Sequence, residues 1–282
     1  AICWGWLPAF LWIVFGTIFI GAVHDFGALV ISAKEKGKSI ADISGNVINP
    51  RVRIMFLIFV IILSWLVLAI FANAIAHLFS PSSDPLIVGT IKDIGPQAVI
   101  PINIEIILAL MMGHYIYKRG KNALLLSIIA LIILYISIFI GIKYPISLSK
   151  NYWICFLFLY SAIASLLPVW KLLQPRDFIN SHQLILALSI ILISIFVSNP
   201  EIVIDAIQVH DKNPPIFPFI FITIACGAIS GFHGLVSSGT TSKQLNNLKD
   251  SRMIGYGSAL GEGTLALLTT IAAVCGVGIY LN

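Results

Sequence analysis

Eight long apolar runs, at 7–32, 54–79, 100–117, 123–143, 152–173, 183–199, 217–238 and 256–280, constrain this chain more than any other feature. At about 1.5 Å of rise per residue, roughly 17 to 20 residues cross the ~30 Å hydrocarbon core of a bilayer, and most of the runs exceed that. The runs are continuous rather than alternating apolar and polar, which argues against transmembrane strands. The expected fold is an all-α membrane protein, a polytopic bundle of about eight transmembrane helices. Composition agrees, since only 10% of the 282 residues are charged, against about 25% in soluble domains.

The loops after runs one, three, five and seven, with Lys171 beside them, hold 13 of the 17 Lys and Arg residues. The opposite side has only Lys92, Lys143, Lys150 and Lys212. By the positive-inside rule the first side is cytoplasmic and both chain ends lie outside. The net charge of +5 belongs to these anchors. No basic stripe is interleaved with exposed aromatics, so a nucleic-acid partner is excluded and the bilayer is the partner expected. Cys3, Cys155, Cys226 and Cys275 are isolated in sequence and read as packing residues, with no metal or cofactor expected. The outer loops 80–99 and 199–215, with Pro, Gly and acids, read as ordered connections or lids. The chain starts at Ala1 with no signal-peptide pattern and reads as a piece of a longer one.

Within the first run the ionisable side chains from Leu7 to Ala33 are His24 and Asp25. A charged Asp at a helix centre costs about 2.5 to 3.5 kcal/mol on insertion scales, so a partner or a function must offset it. Asp25 lies nine residues before Lys34, His233 ten before Lys243 and Glu262 ten after Arg252. On regular helices each sits roughly 14 to 15 Å from its cytoplasmic marker, in one layer near the midplane. Neighbours on a helix diverge by about 100°, so His24 and Asp25 are not expected to pair, and His233 is the natural partner for Asp25. The competing reading is a structural pair that locks two helices together.

The seventh run, "CGAISGFHGLVSSGTTSKQL", repeats small residues at Gly227, Gly231, Gly234 and Ser238, which lets a neighbouring backbone approach closely. Ser230, Ser237 and Thr241 share a helical face there. Ser237-Ser238-Gly239-Thr240-Thr241 combines hydroxyls with a weak helix former and is expected to unwind toward a ligand, as transporter helices do. A packed helix with hydroxyls bonded to its own backbone is the alternative. The eighth run surrounds Glu262 with small residues in "GYGSALGEG". In "LLPVWKLLQPRDFINS", Pro168 is expected to kink run five and Pro175 to end it. Arg176 and Asp177 then form either an anchor and a helix cap or a gate pair at the cytoplasmic mouth.

Together these stretches resemble the carbon starvation protein family of bacterial and archaeal membrane transporters. The matching residues are Trp6-Leu7-Pro8, Gly21 to Phe26, Gly37 to Ser39, Leu167 to Trp170, Pro175-Arg176-Asp177, Phe219 to Thr241, Ile254 to Gly257, and Glu262. The resemblance runs in order along almost the whole chain. It implies an inner-membrane, multi-pass carrier of small peptides or of pyruvate with protons, related to the inverted-repeat amino acid–polyamine–cation superfamily. In that family Gln can replace His24, which leaves Asp25 the stronger candidate. Lys171 and Glu105 are untypical of it. A Gly/His-rich stretch before Trp4 and later C-terminal helices belong to the family pattern and are not in this sequence.

The function expected is a secondary carrier of a small peptide or pyruvate-like metabolite, proton-coupled, working by alternating access. Its substrate site would use His24, Asp25, Ser230, His233, Ser237, Ser238, Gly239, Thr240 and Thr241. Glu262, more than Asp25, would exchange the proton, because burial favours a neutral carboxyl while an imidazolium opposes it. The sequence has no G-x-x-x-x-G-K-[ST] for an ATP-driven pump, and no H-E-x-x-H or G-x-S-x-G for an intramembrane enzyme. A haem-bearing electron carrier on His24, His114 or His233 is the remaining rival. Oligomeric state is left open.

Overall fold

Why the runs do or do not become single helices follows from where proline, glycine and serine fall. The computed structural model describes residues 1–81, 94–208 and 214–276. Lys92, Lys212, most of the outer loop 80–99, part of 199–215 and the end of the eighth run lie outside the described residues. Among the described residues the chain is helical and has no strand. Among the described residues six stretches are long and apolar enough to cross a membrane: Trp6–Lys34, Pro50–Phe79, Ile94–Arg119, Ala123–Lys143, Leu173–Ser198 and Leu248–Gly276.

Six against the expected eight has a local cause in each case. Run five forms a helix only over Lys150–Ser165 and stops before Pro168 instead of kinking at it. A proline disfavours helix in the residue before it and supplies no N–H. Pro175 begins a helix rather than ending one. It sits in the first turn of Leu173–Ser198, where the missing N–H would have had no intrahelical partner anyway. Run seven breaks into Ile216–Thr223, Ala225–Ile229 and Gly231–Ser237. Ile224 (φ −102°, ψ 12°) and Ser230 (φ −62°, ψ 106°) leave helical geometry, and Gly239 takes φ +80° just after the last piece.

The chain divides into two compact units, Ala1–Val60 with Leu188–Asn282, and Ile61–Ala187. In chain order the helices are α1 (Trp6–Gly16), α2 (Ala22–Lys34), α3 (Ile40–Val47), α4 (Pro50–Phe79), α5 (Ile94–Arg119), α6 (Ala123–Lys143), α7 (Lys150–Ser165), α8 (Leu173–Ser198), α9 (Ile216–Thr223), α10 (Ala225–Ile229), α11 (Gly231–Ser237) and α12 (Ser258–Gly276). A π-turn, Thr17–Gly21, joins α1 to α2, and a second, Arg252–Gly257, leads into α12.

The first unit packs on small side chains, as membrane helices do where backbones approach. Ala9, Ala22, Ala28, Ala228 and Ala259 are buried. Gly21 lies against the Ala228 carbonyl oxygen, and any Cβ there would collide with it. The amino-terminal segment is tied down as well: Trp4 Nε1 donates to Pro214 O at 2.7 Å, and Leu7 N to Ala206 O at 3.0 Å. Ser39 caps α3 by accepting from Asp42 N, and Asp42 pairs with Arg53 at 2.8 Å.

The second unit has conventional apolar cores. Ala109, Met112, Ala130, Leu134, Leu172 and Ile179 form one. Ala76, Phe79, Val99 and Trp153 form another, with the Phe79 and Trp153 rings edge-on at 5.2 Å. Along α4 large apolar side chains such as Ile58, Trp65 and Phe71 are exposed. A helix that is apolar on its open faces suits hydrocarbon rather than water.

Candidate functional site

Asp25 is carried by α2 and is 6% exposed. Its Oδ2 lies 3.0 Å from His233 Nδ1, which α11 brings across from the broken seventh run. His233 Nε2 lies 3.3 Å from Glu262 Oε2 on α12. One imidazole therefore bridges two carboxylates from two other helices. A ring with carboxylates at both nitrogens donates twice when charged, or donates once and accepts from a protonated carboxyl when neutral. These three groups were placed at one depth by counting helical rise, and the structure brings them together. For His233 the count itself fails, because Ser238 and Gly239 interrupt the helix between His233 and Lys243.

His24 corrects the sequence expectation. Its Nδ1 does reach Asp25 Oδ1, at 3.1 Å, so Asp25 is held from both sides. Divergence by about 100° sets the direction of the two Cβ atoms, not the reach of side chains that lean toward each other. Room for the lean comes from Gly234, where any Cβ would run into the imidazole Cε1. The small-residue stripe thus admits a side chain at Gly234, while at Gly231 nothing lies within 4 Å.

A cavity of about 260 Å³ opens on this cluster, lined by Asp25, His233, Ser237, Thr241, Ser258 and Glu262, with Leu29, Val236 and Ile254 as apolar wall. The hydroxyl run predicted for a ligand is divided by the break. Ser237 and Thr241 border the cavity, whereas Ser238, Gly239 and Thr240 line a separate hollow with Lys36, Lys38 and Lys243. Ser230 lies at the break between α10 and α11 and borders neither, so it shares no helical face with Ser237 and Thr241. Some hydroxyls do bond to the local backbone, Ser238 Oγ to Leu235 O at 3.2 Å and Thr241 Oγ1 to Val236 O at 3.3 Å.

Two serines that sequence reading passed over hold the unwound turn. Ser32 Oγ is buried and donates to Lys38 O at 2.6 Å. It also lies 2.8 Å from Ser242 Oγ and accepts from Gly239 N at 3.1 Å. Ser238 Oγ accepts from Ile40 N at 3.3 Å. The run of hydroxyls continuing to Ser242 was the available signal; Ser32 had none, being one serine among apolar residues.

In the second unit Arg176 and Asp177 separate. Arg176 Nε donates to Glu105 Oε1 at 3.2 Å, and Nη1 to Tyr160 OH at 3.5 Å. Asp177 borders a shallow hollow with Asn180 and Ser181 instead. Arg176 turns to Glu105, and no ion pair among the described residues joins it to Asp177.

Six apolar spans among the described residues define a polytopic helical membrane protein, and in its first unit a broken helix joins ionisable groups of α2 and α12 in a polar site. The chain belongs to the carbon starvation protein CstA family, which matches residues 1–282. It is 34% identical to the pyruvate/proton symporter BtsT of Escherichia coli over 98% of this chain and 39% of that protein. Peptide transporter CstA of Campylobacter jejuni is 32% identical over 98% and 40%, and that of Helicobacter pylori 33% over 98% and 41%. The chain thus spans about two fifths of the length of the curated relatives it matches. No solved structure matches. With bacterial transporters as relatives and six apolar spans, the chain is a multi-pass protein of the bacterial inner membrane.

Proposed function

We propose that the chain carries the substrate and proton site of a secondary transporter that imports a small peptide or a pyruvate-like metabolite with protons by alternating access. The observation that supports this most is His233, on a broken helix, bridging Asp25 and Glu262 across a cavity. With both carboxylates ionised and His233 charged, the three groups carry one net negative charge. One added proton, taken by Glu262, brings them to neutrality. Glu262 is the natural acceptor, since its side chain is 31% exposed against 8% for Asp25, which two imidazoles hold. Asp25 and His233 organise the site, and Ser237 and Thr241 offer hydroxyls to the substrate. The relatives' names, a pyruvate/proton symporter and peptide transporters, support the same class of cargo and coupling.

The test uses the natural full-length protein in proteoliposomes, with labelled pyruvate and dipeptides, with and without a proton gradient. Glu262→Gln is expected to abolish gradient-driven accumulation while leaving substrate exchange measurable. A Gln variant that still concentrates substrate under the gradient removes Glu262 as the coupling group.

A further inference from the structure

The two π-turns stand where the site needs them. Each precedes a carboxylate by about one helical turn: Thr17–Gly21 before Asp25, and Arg252–Gly257 before Glu262. A π-turn takes one extra residue into a helix, and so rotates everything after it by about 100°. Asp25 faces His233 only in the register that follows the first π-turn. With a regular α-helical turn instead, the carboxylate would leave its partner.

That register strands one backbone group. In an α-helix Ala22 N–H would bond to Ile18 O, but here it bonds to Thr17 O. Within a bilayer no water replaces the lost donor. The Tyr256 hydroxyl does, donating to Ile18 O at 3.1 Å from the second π-turn. The second π-turn also packs on α2 at Gly255, where a Cβ would fall 2.8 Å from Phe26 Cα. Beyond the second turn, Gly263 lies equally close to Thr17. The two π-turns are thus joined by Tyr256, with α2 and α12 packed closely beside them.

We propose that Tyr256 is a positioning residue: by holding Ile18 O it maintains the π-turn that aims Asp25, and so sets the proton equilibrium of the Asp25–His233–Glu262 cluster. This rests on the reading that the cluster exchanges protons, not on which substrate is carried. The ionisable groups facing Asp25 are His24 from its own helix and His233 from α11, with Glu262 from α12 behind His233. The second π-turn brings Tyr256, and its Arg252 is exposed. Helix α1 carries no ionisable group and α10 only the exposed Cys226. Lys243, after α11, lies against Gly37.

The experiment is an infrared pH titration of the natural full-length protein in lipid nanodiscs, following the carboxyl band that Glu262→Gln removes. Tyr256→Phe keeps the ring and removes only the hydroxyl. It is expected to move the titration midpoint by about half a pH unit or more, roughly a three-fold change in the proton equilibrium. Thermal unfolding of the same sample separates this from a loss of fold. Deletion of Phe19, which takes the extra residue out of the first π-turn, is expected to move the midpoint at least as far. A folded variant of either kind that titrates like the parent overturns the proposal, whatever its uptake or stability. If the parent shows no gradient-driven uptake but its band still shifts in Tyr256→Phe, the transport reading fails and the positioning role stands.

Discussion

Replacing Arg176 with Met leaves Glu105 buried at 7% exposure with its cation gone. Removing one partner of a buried ion pair costs about 3 to 5 kcal/mol, because the remaining charge is uncompensated. Arg176 is itself 35% exposed in its side chain, which lowers the expected cost to the bottom of that range, about 3 kcal/mol. The loss of the 3.5 Å contact to Tyr160 adds little. Glu105→Gln keeps an acceptor and is expected to cost less than Arg176→Met, and the double variant less than the two single costs summed. Asp177→Asn, which makes no ion pair with either partner, is expected to stay within about 0.5 kcal/mol of the parent. The assay is a double-mutant cycle on the SDS or thermal unfolding of the full-length protein in micelles. Coupling between positions 105 and 176 of less than about 0.5 kcal/mol would refute the reasoning. So would an Asp177→Asn cost equal to that of Arg176→Met, which would restore the neighbouring pair that the sequence pointed to.

Ser32→Ala removes three contacts from a fully buried hydroxyl and leaves Lys38 O without its donor, an expected loss of about 1 to 3 kcal/mol. Its local signature is faster amide exchange at Gly239, and unchanged protection there would count against the clasp. Membrane topology is checked by cysteine labelling. A cysteine at Lys121 is expected to react from the cytoplasmic side and one at Ser83, outside the described residues, from the outer side, with the reverse pattern overturning the orientation.

Hydropathy and helical rise carried the sequence reading far because both are local. A run of apolar residues long enough to cross hydrocarbon announces itself, and 1.5 Å per residue turns sequence distance into depth. Asp25, His233 and Glu262 stand out in this way as ionisable groups in apolar runs, although the break after His233 spoils its depth count, and the Ser-Gly-Thr run stands out as a place where the helix gives way. Proline positions mark the breaks, but not the side on which the helix stops. Pro168 and Pro175 leave run five short and start α8, because a proline is tolerated in a first turn and disfavours helix in the residue before it.

What only the tertiary structure decided is azimuth, the direction each side chain takes around its helix. A π-turn adds one residue and leaves no trace in composition, yet it turns Asp25 by about a quarter of a circle. Arg176 pairs with Glu105, distant in sequence, rather than with its neighbour, and His24 finds room only because Gly234 comes from another segment. Depth is additive along one chain and can be counted. Direction depends on every register shift before the residue and on what another helix leaves open, so it is settled only when the helices meet.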